Sequence, residues 1–527
     1  MIDNPADNIT GFSQPIAGTD TPDSVQDVVR LVLAARQAGT PLYPFSTGLN
    51  FGYGGKSSVL PYCRLVDLSR MNRILNADKI SLDNPVAVIE PGVTQGQLHE
   101  FLERHCPQLS FNVTGSARAT SILGNALDRG VGYFGPRRED LFGLEVVCGT
   151  GEIIYTGFRG PRDKTVCDFP PDHPRDEGPL AHSHPYGLGP MLDGLFSQGN
   201  FGIVTSACFR LVPRPPCQVA LSLALTDEAD LGVFIDTLAR LKRDNLITSV
   251  THIGNRARSH ASLMSGMVDY YESACGFSPA RARAEAEQAL RLIAPGEWTS
   301  LGAVTGTKAQ VDANLAEVRR RMRGLARVKV MHTKLIARAY ALTHALRFLR
   351  FGRANAAALA AIRPLHNLAI GVPTDAAVDN LLWRFDAAKL TASQLDQSRC
   401  GLLYINPALP LDGELVRTTI DELKKIASTY SHELYITVNI ETATSLVAVI
   451  NLLFDRAHAA EVENAHACAR AMLAYLHGAG LEVYRARADM MGDIVAHDPA
   501  KWDLVRRLKQ TFDPANIIAP GRYNRAQ

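Results

Sequence analysis

The segment Ser46-Thr47-Gly48-Leu49-Asn50-Phe51-Gly52-Tyr53-Gly54-Gly55 places four glycines in ten residues directly behind the apolar run PLYPF. Without a Cβ, such a backbone curls until successive N–H groups point inward, the geometry that cradles a diphosphate. The spacing is neither the G-x-x-x-x-G-K-[ST] of mononucleotide kinases nor the G-x-G-x-x-G of dinucleotide-binding βαβ units, so both of those folds lose ground. Alone, a glycine-rich loop is more often a plain turn. Three later segments weigh against that reading: Pro91-Gly92-Val93-Thr94; the run from Ser121 through Gly124, Asn125, Gly130 and Gly132 to Tyr133; and the run from Gly194 through Asn200, Gly202, Ile203 and Val204 to Thr205. Small residues at those points let backbone approach a long bound molecule closely.

Around the loop the pattern mixes helix and strand. TPDSVQDVVRLVLAAR, from Thr21 to Arg36, carries apolar residues at helical spacing behind a Thr-Pro start. PLYPF, the run around Cys63 to Leu68, and Val86 to Glu90 read as strands, and TQGQLHEFLERH reads as an amphipathic helix. A chain of 527 residues is too long for one core. The proline-rich VPRPP after Leu211 suits a domain boundary, with a second domain starting near Cys217. Beyond it, the apolar CQVALSLAL and LITSVTHIG alternate with the helical RARAEAEQALRLIA and ANLAEVRRRMRGLARV, an irregular order that predicts an α+β unit with an antiparallel sheet. HACARAMLAYLHGAG is helical with a glycine stop, and FDPANIIAPGRY closes the chain in the style of the first domain.

Charge narrows the class of function. Fifty-five basic against 53 acidic residues give a net charge of +2, no field of the kind that recruits nucleic acid or an anionic membrane. The arginine-rich helical runs interleave with glutamate and leucine and lack aromatic stacking platforms, so they read as solvated faces. The nine cysteines, Cys167 among them, never fall at C-x-x-C spacing and imply neither a disulfide framework nor a zinc site. The histidines, including His182, His184, His332 and His366, show no metal spacing, and no metal is expected. A polar, acidic N-terminus and the lack of a long apolar run imply a cytoplasmic protein with a small-molecule substrate.

The ordered segments STGLNFGYGG, EPGVTQGQL, GNALDRGVGY, YGLGPMLDGLFSQGNFGIVT, GVPTDAAVDNLLWR, Tyr484-Arg485 and FDPANIIAPGR resemble those of the vanillyl-alcohol oxidase and p-cresol methylhydroxylase family of FAD enzymes. The resemblance runs from about Thr21 to Arg522 and is weakest between Cys217 and Leu365. It implies an α+β fold: a PCMH-type FAD-binding domain split in sequence between residues 1–213 and 475–527, enclosing a cap domain at residues 214–474. On that pattern the FAD is held by Ser46, Thr47, Gly48, Leu49, Asn50, Phe51, Gly52 and Tyr53. Pro91, Gly92, Val93, Ser121, Gly124, Asn125, Gly130 and Gly132 would join them, with Asn200, Gly202, Ile203, Val204 and Arg522.

The family's phenol-binding trio matches Tyr53, Tyr484 and Arg485, with Tyr133 as a fourth candidate. Two phenol hydroxyls and a guanidinium converging on one point stabilise a phenolate by charge-assisted hydrogen bonds. Each tyrosine could instead simply pack its ring in a core. Two departures stand out. Where the family commonly has an aspartate beside flavin N5, this sequence has Ser116, which cannot act as a carboxylate base. Where the family has a flavin-linking histidine or tyrosine, it has Leu402, so noncovalent FAD is expected, with Cys400 and Tyr404 as attachment points if the register slips.

The implied activity is FAD-dependent removal of a hydride from a carbon of a para-hydroxylated aromatic, with oxygen or a protein as electron acceptor. The alternatives are oxidation of a nonphenolic carboxylate, alcohol or amine, with Arg485 on the carboxylate, and a noncatalytic flavin-binding subunit. Since family members often associate, a homodimer is a further expectation.

Overall fold

The computed structural model describes residues 6–162, 177–378, 385 and 390–526. Cys167 and positions 379–384 of the GVPTDAAVDNLLWR segment lie outside the described residues. The first helix runs Val25–Ala38, three residues later than its Thr-Pro start suggested, because Ser24 takes the capping role and its side chain accepts from Asp27 N. Its buried face, Val25, Val28, Val32 and Ala35, covers a parallel sheet ordered Ile16–Asp20, Cys63–Asp67, Leu42–Phe45. A second, antiparallel sheet of four strands follows, ordered Val86–Ile89, Gly202–Arg210, Leu141–Cys148, Ile153–Tyr155. The helix Gln95–His105, capped by Thr94, buries Leu98 and Leu102 in the core of this sheet.

From Cys217 onward the strands join one nine-stranded antiparallel sheet. Its order is Ala326–Met331, Cys217–Leu225, Trp298–Gly306, Thr251–Asn255, Tyr435–Ile440, Ser445–Asp455, Pro407–Pro410, Glu482–Val483, with Cys400–Ile405 pairing to Ser445–Asp455 off that path. The run ANLAEVRRRMRGLARV divides: helix Lys308–Arg321 takes its first part and the strand Ala326–Met331 its last three residues. In LITSVTHIG only the end is strand, within Thr251–Asn255. Residues alternate between the faces, as a pleat requires. Ile436, Val438 and Ile440 join Leu446, Ala448 and Ile450 in a core shared with the helices Leu231–Arg243, Gly413–Thr429 and Ala459–Gly478. A Cβ on Gly413 would lie 2.0 Å from the Gly232 carbonyl oxygen, so two of these helices meet backbone to backbone.

A satellite of helices, Arg256–Cys275, Pro279–Ile293 and Arg350–Ala369, packs around Tyr270, Tyr271 and a run of alanines. The arginine-rich runs are surface: Arg320 and Arg321 pair with Glu317, and only Val311, Leu315 and Val318 of their helix are buried. The chain end touches both halves. Val483 pairs with Pro407 in the large sheet, whereas Leu42 N donates to Ile517 O at 2.6 Å and Ala519 N donates to Leu42 O at 2.7 Å. Buried Lys509 donates to Ile518 O at 2.8 Å. The eight described cysteines form no disulfide, and among the described residues no helix is long and apolar enough to cross a membrane.

Candidate active site

A cavity of about 410 Å³ opens where the glycine loop faces the large sheet. On one side lie Ser46 to Phe51, Tyr53 and Gly55, then Pro91, Ser121, Gly124, Asn125 and Gly130, then Gly202, Ile203 and Val204. The pieces lock together through small polar groups: Ser121 N donates to Thr47 Oγ1 at 3.1 Å, and Ser121 Oγ accepts from Gly124 N at 2.9 Å. Gly48, at φ 72°, turns the loop, and a Cβ on Gly124 would sit 2.3 Å from Ser46 Oγ. None of the backbone N–H groups from Thr47 to Phe51 donates to another described residue. Unpaired donors lining a cavity in this way suit an acceptor from outside the chain, such as a diphosphate.

Several expected residues stand just behind this wall. Gly92 and Val93 do not line the cavity; a Cβ on Gly92 would lie 2.3 Å from Ser69 O. Gly132 does the same against Asn112 Oδ1 at 2.1 Å, and Gly52 makes room for the Tyr404 ring at 2.4 Å. The close approach that these glycines allow is to the protein itself. Asn200 donates to Ala519 O at 3.0 Å, tying the chain end to the wall. Tyr133 is buried against His252, ring centres 4.8 Å apart, and it is His252 that reaches the cavity. Ser116 lines the cavity and accepts from Gln95 Nε2 at 3.1 Å.

Tyr53, Tyr484 and Arg485 all border the cavity. The Arg485 guanidinium carbon sits 3.9 Å over the Tyr53 ring, whose other neighbour is Tyr404, stacked at 4.7 Å. Tyr53 Oη accepts from Asn406 Nδ2, and Tyr484 Oη donates to the Arg129 carbonyl. Asp128, a residue of the GNALDRGVGY run, holds the arginines: it pairs with Arg485, lies 3.6 Å from Arg522 Nη2, and accepts from Asn50 Nδ2 at 3.0 Å. Burial alone would raise the Asp128 carboxyl, but the two guanidiniums outweigh it and hold it below the usual carboxylate range. Burial lifts both Tyr53 and Tyr484 above the ordinary phenol range.

The opposite wall is the outer face of the large sheet, where Thr437, Asn439 and Glu441 alternate with the core residues Ile436, Val438 and Ile440. Val447, Val449 and Asn451 stand beside them on the neighbouring strand. His252 Nδ1 meets Asn439 Oδ1 at 2.7 Å, and burial pushes the imidazole down to about 4. Burial, with Glu139 nearby, pushes Glu441 up to about 8. Arg258 completes this wall. Of Leu402, Cys400 and Tyr404, only Tyr404 lines the cavity. Sequence reading missed His252, Arg258, Asn406, Asn439, Glu441 and Asn451. The alternation of Thr437, Asn439 and Glu441 with apolar residues in YITVNIE was the available signal. Away from the cavity, His477, Glu482 and His497 bring ligand atoms within 4.8 Å of one another, a grouping their sequence spacing did not reveal.

The fold and this cavity define a flavin-binding protein of two parts. A model described as "FAD binding domain" matches residues 16–157, and one described as "FAD linked oxidases, C-terminal domain" matches residues 447–523. The chain is 30% identical over 524 residues to 1'-carboxy-chondrochloren decarboxylase of Chondromyces crocatus, covering 96% of this chain and 90% of that protein. It is 26% identical over 522 residues to the 4-cresol dehydrogenase (hydroxylating) flavoprotein subunit of Pseudomonas putida, covering 98% and 89%. The crystal structure of p-cresol methylhydroxylase with substrate bound superposes with a TM-score of 0.79 at 24% identity, over 99% of this chain and 92% of that one. The chain belongs to the PCMH-type FAD flavoproteins and is an FAD-linked oxidoreductase.

Proposed function

We propose that this enzyme uses noncovalently held FAD to remove a hydride from the side-chain carbon attached to the ring para to a phenolic hydroxyl. Residues 1–213 and 475–527 form the FAD-binding part, and residues 214–474 the cap. Ser46 to Phe51 would hold the diphosphate, and Pro91, Ser121, Gly124, Asn125, Gly130, Gly202, Ile203, Val204 and Arg522 would line the rest of the cofactor. Bound there, FAD supplies the hydride acceptor.

The observation that carries the reading is a charge imbalance beside Tyr53 and Tyr484. Arg485 and Arg522 share the single carboxylate of Asp128, two positive charges against one negative, which leaves one unit of positive charge at the tyrosine wall. That excess, in a buried setting, stabilises an oxyanion far more than it would in water. Tyr53 would donate to the substrate's phenolate oxygen, Tyr484 would join it by turning its hydroxyl from the Arg129 carbonyl, and Arg485 would offset the charge. Electron density pushed from that oxygen toward the para carbon helps the hydride depart and leaves a quinone methide. Ser116 touches the reacting region without acting as a base. Water or loss of a proton then completes the product.

The similarity to a protein named 1'-carboxy-chondrochloren decarboxylase favours a second reading of the product. If the substrate carries a carboxylate on the next carbon, the C–COO bond can break in place of hydration. Its electron pair then forms the side-chain double bond and restores the ring as phenolate, with carbon dioxide released.

The test is anaerobic mixing of the yellow protein with para-alkylphenols and with nonphenolic alcohols and amines. Bleaching of the flavin by phenols alone supports the proposal, and bleaching only by nonphenolic compounds overturns it. Oxygen uptake against reduction of a protein acceptor then decides the oxidant, and sedimentation tests for a homodimer.

A further inference from the structure

Arg485 and Arg258 face this cavity from opposite walls, and among the described residues only Arg485 of the two has a paired acid. Arg485 has Asp128, which raises its affinity for its proton against the opposing effect of burial. Arg258 sits in the first turn of the helix Arg256–Cys275, lines the cavity, and donates from Nη1 to Ser262 Oγ at 2.8 Å. Among the described residues no carboxylate pairs with it, and the titratable groups that oppose its loss of charge are the phenols Tyr404 and Tyr133. Of other buried guanidiniums, Arg159 pairs with Glu177 and Arg487 with Asp489, while Arg137 spends its donors on Asn112 O, Asn125 Oδ1 and Gln95 Oε1. A desolvated guanidinium without an anion is costly, and arginine does not escape by giving up its proton.

Its placement is firm. Asn255 caps the helix through Oδ1, accepting from Arg258 N at 3.0 Å, and the same Asn255 bonds Leu434 O and Ile436 N in the neighbouring strand. Arg485 lies over the Tyr53 ring of the stacked pair Tyr53 and Tyr404, and both Arg258 and Arg485 act electrostatically on Tyr404. A substrate lying across the stack therefore meets an oxyanion site at one end and an unmatched cation at the other.

We propose that Arg258 anchors a carboxylate of the substrate, so that the compounds taken are phenols whose para side chain ends in an acid. This rests on the phenol reading above. The bidentate geometry of guanidinium with carboxylate suits such an anchor, and His252, neutral beside it with Nε2 unpaired among the described residues, adds no second charge. The anchor serves equally whether the acid is later kept or lost as carbon dioxide.

The experiment compares para-hydroxyphenyl acetate, propionate and butyrate with their methyl esters, in the wild-type holoenzyme and in Arg258→Gln and Arg258→Lys. Binding is read from perturbation of the flavin spectrum, and turnover from steady-state kinetics. For at least one chain length the acid should be preferred over its ester by about tenfold or more in KM, the scale of one charge-assisted contact. The preference should vanish in Arg258→Gln and partly return in Arg258→Lys. Equal use of acid and ester by wild type, or an equal loss for both in Arg258→Gln, overturns the anchor while leaving the phenol reading intact. So does release of FAD from Arg258→Gln on dilution, which would make Arg258 a cofactor ligand. If no phenol is turned over, the phenol reading fails, and the spectral titration with the acids still decides whether Arg258 binds a carboxylate.

Discussion

The wall made by the glycine loop presents backbone and cations, whereas the wall made by the large sheet presents side chains with acceptors to spare. On the first, the atoms that bond to nothing include the donors Arg485 Nε and Arg522 Nη1. On the second, among the described residues, they include Asn406 Oδ1, Asn451 Oδ1, Glu441 Oε1 and His252 Nε2. A wall of fixed N–H groups and glycines held by close backbone contacts suits a partner that never changes, which is what a cofactor is. A wall of strand side chains can be altered one residue at a time without moving the backbone, which suits a substrate that differs among relatives. The difference assigns the two walls different tolerance to substitution, and that can be measured.

The largest effect should come from Arg485→Ala. Turnover of a phenol should fall by about 10²–10³-fold, the range for loss of a donor at a developing oxyanion. Stability should fall as well, by about 3–5 kcal/mol, because Asp128 is left as a buried charge with only the more distant Arg522 beside it. The double variant Arg485→Ala with Asp128→Asn separates the two roles: melting should recover toward wild type while turnover stays low. Recovery of turnover together with stability would show that Arg485 acts only as a structural partner of Asp128.

Next comes Gly92→Ala, aimed at the rigid wall from behind. Its Cβ would meet Ser69 O at 2.3 Å and Met71 O at 2.8 Å, both backbone atoms that cannot swing aside. The expected cost is about 1–3 kcal/mol, with lower flavin content per chain in the purified protein. Asn451→Ala on the sheet wall should leave both melting and flavin content near wild type and change relative rates among substrates. Equal sensitivity at the two positions would erase the distinction between the walls.

Glu441→Gln has a smaller, pH-dependent signature. Burial raises the folded carboxyl from 4.5 to about 8, so between those values the folded state keeps a proton that the unfolded state has lost. Stability from this group is full below about pH 4.5, declines as pH rises toward 8, and is flat above that. Glutamine cannot titrate. The melting temperature of Glu441→Gln relative to wild type should therefore climb across that interval, and parallel melting curves from pH 5 to 8 would place Glu441 in water.

The first wall was legible in the sequence because its signals are local. Ser46 to Gly55, Ser121 to Gly130 and Gly202 to Val204 announce themselves by glycine and small-residue density, and Tyr484-Arg485 by order along the chain. The sheet wall was not. Asn439 and Asn451 face the cavity only because Asn439 pairs with Val447 and Tyr435 pairs with Asn451, and that register exists only once the strands have met. Arg258 was hidden for another reason: at sequence level it belongs to a basic, alanine-rich region whose other arginines are solvated, and only the cap at Asn255 turns it inward. The helix start at Ser24 shows the same limit on a small scale, since Thr21 and Ser24 are both acceptable caps and the packing of Val25 and Val28 decides between them.

The smallest expected change concerns Tyr404, where the walls meet. Leu402, behind the Gly52 backbone, and Cys400 are buried in one apolar cluster, so of the three candidate attachment points Tyr404 is the one that reaches the cavity. Its ring is held against Tyr53 at 4.7 Å, and burial lifts its hydroxyl above the ordinary phenol range, which keeps it protonated and a poor nucleophile. Acid precipitation of wild type should accordingly release yellow flavin to the supernatant, and Tyr404→Phe should behave the same way, with any loss confined to substrate affinity. A yellow pellet from wild type and a white one from Tyr404→Phe would instead make Tyr404 the covalent link. The sheet wall would then hold the cofactor as well as the substrate, and the division of labour between the two walls would fail at the residue where they touch.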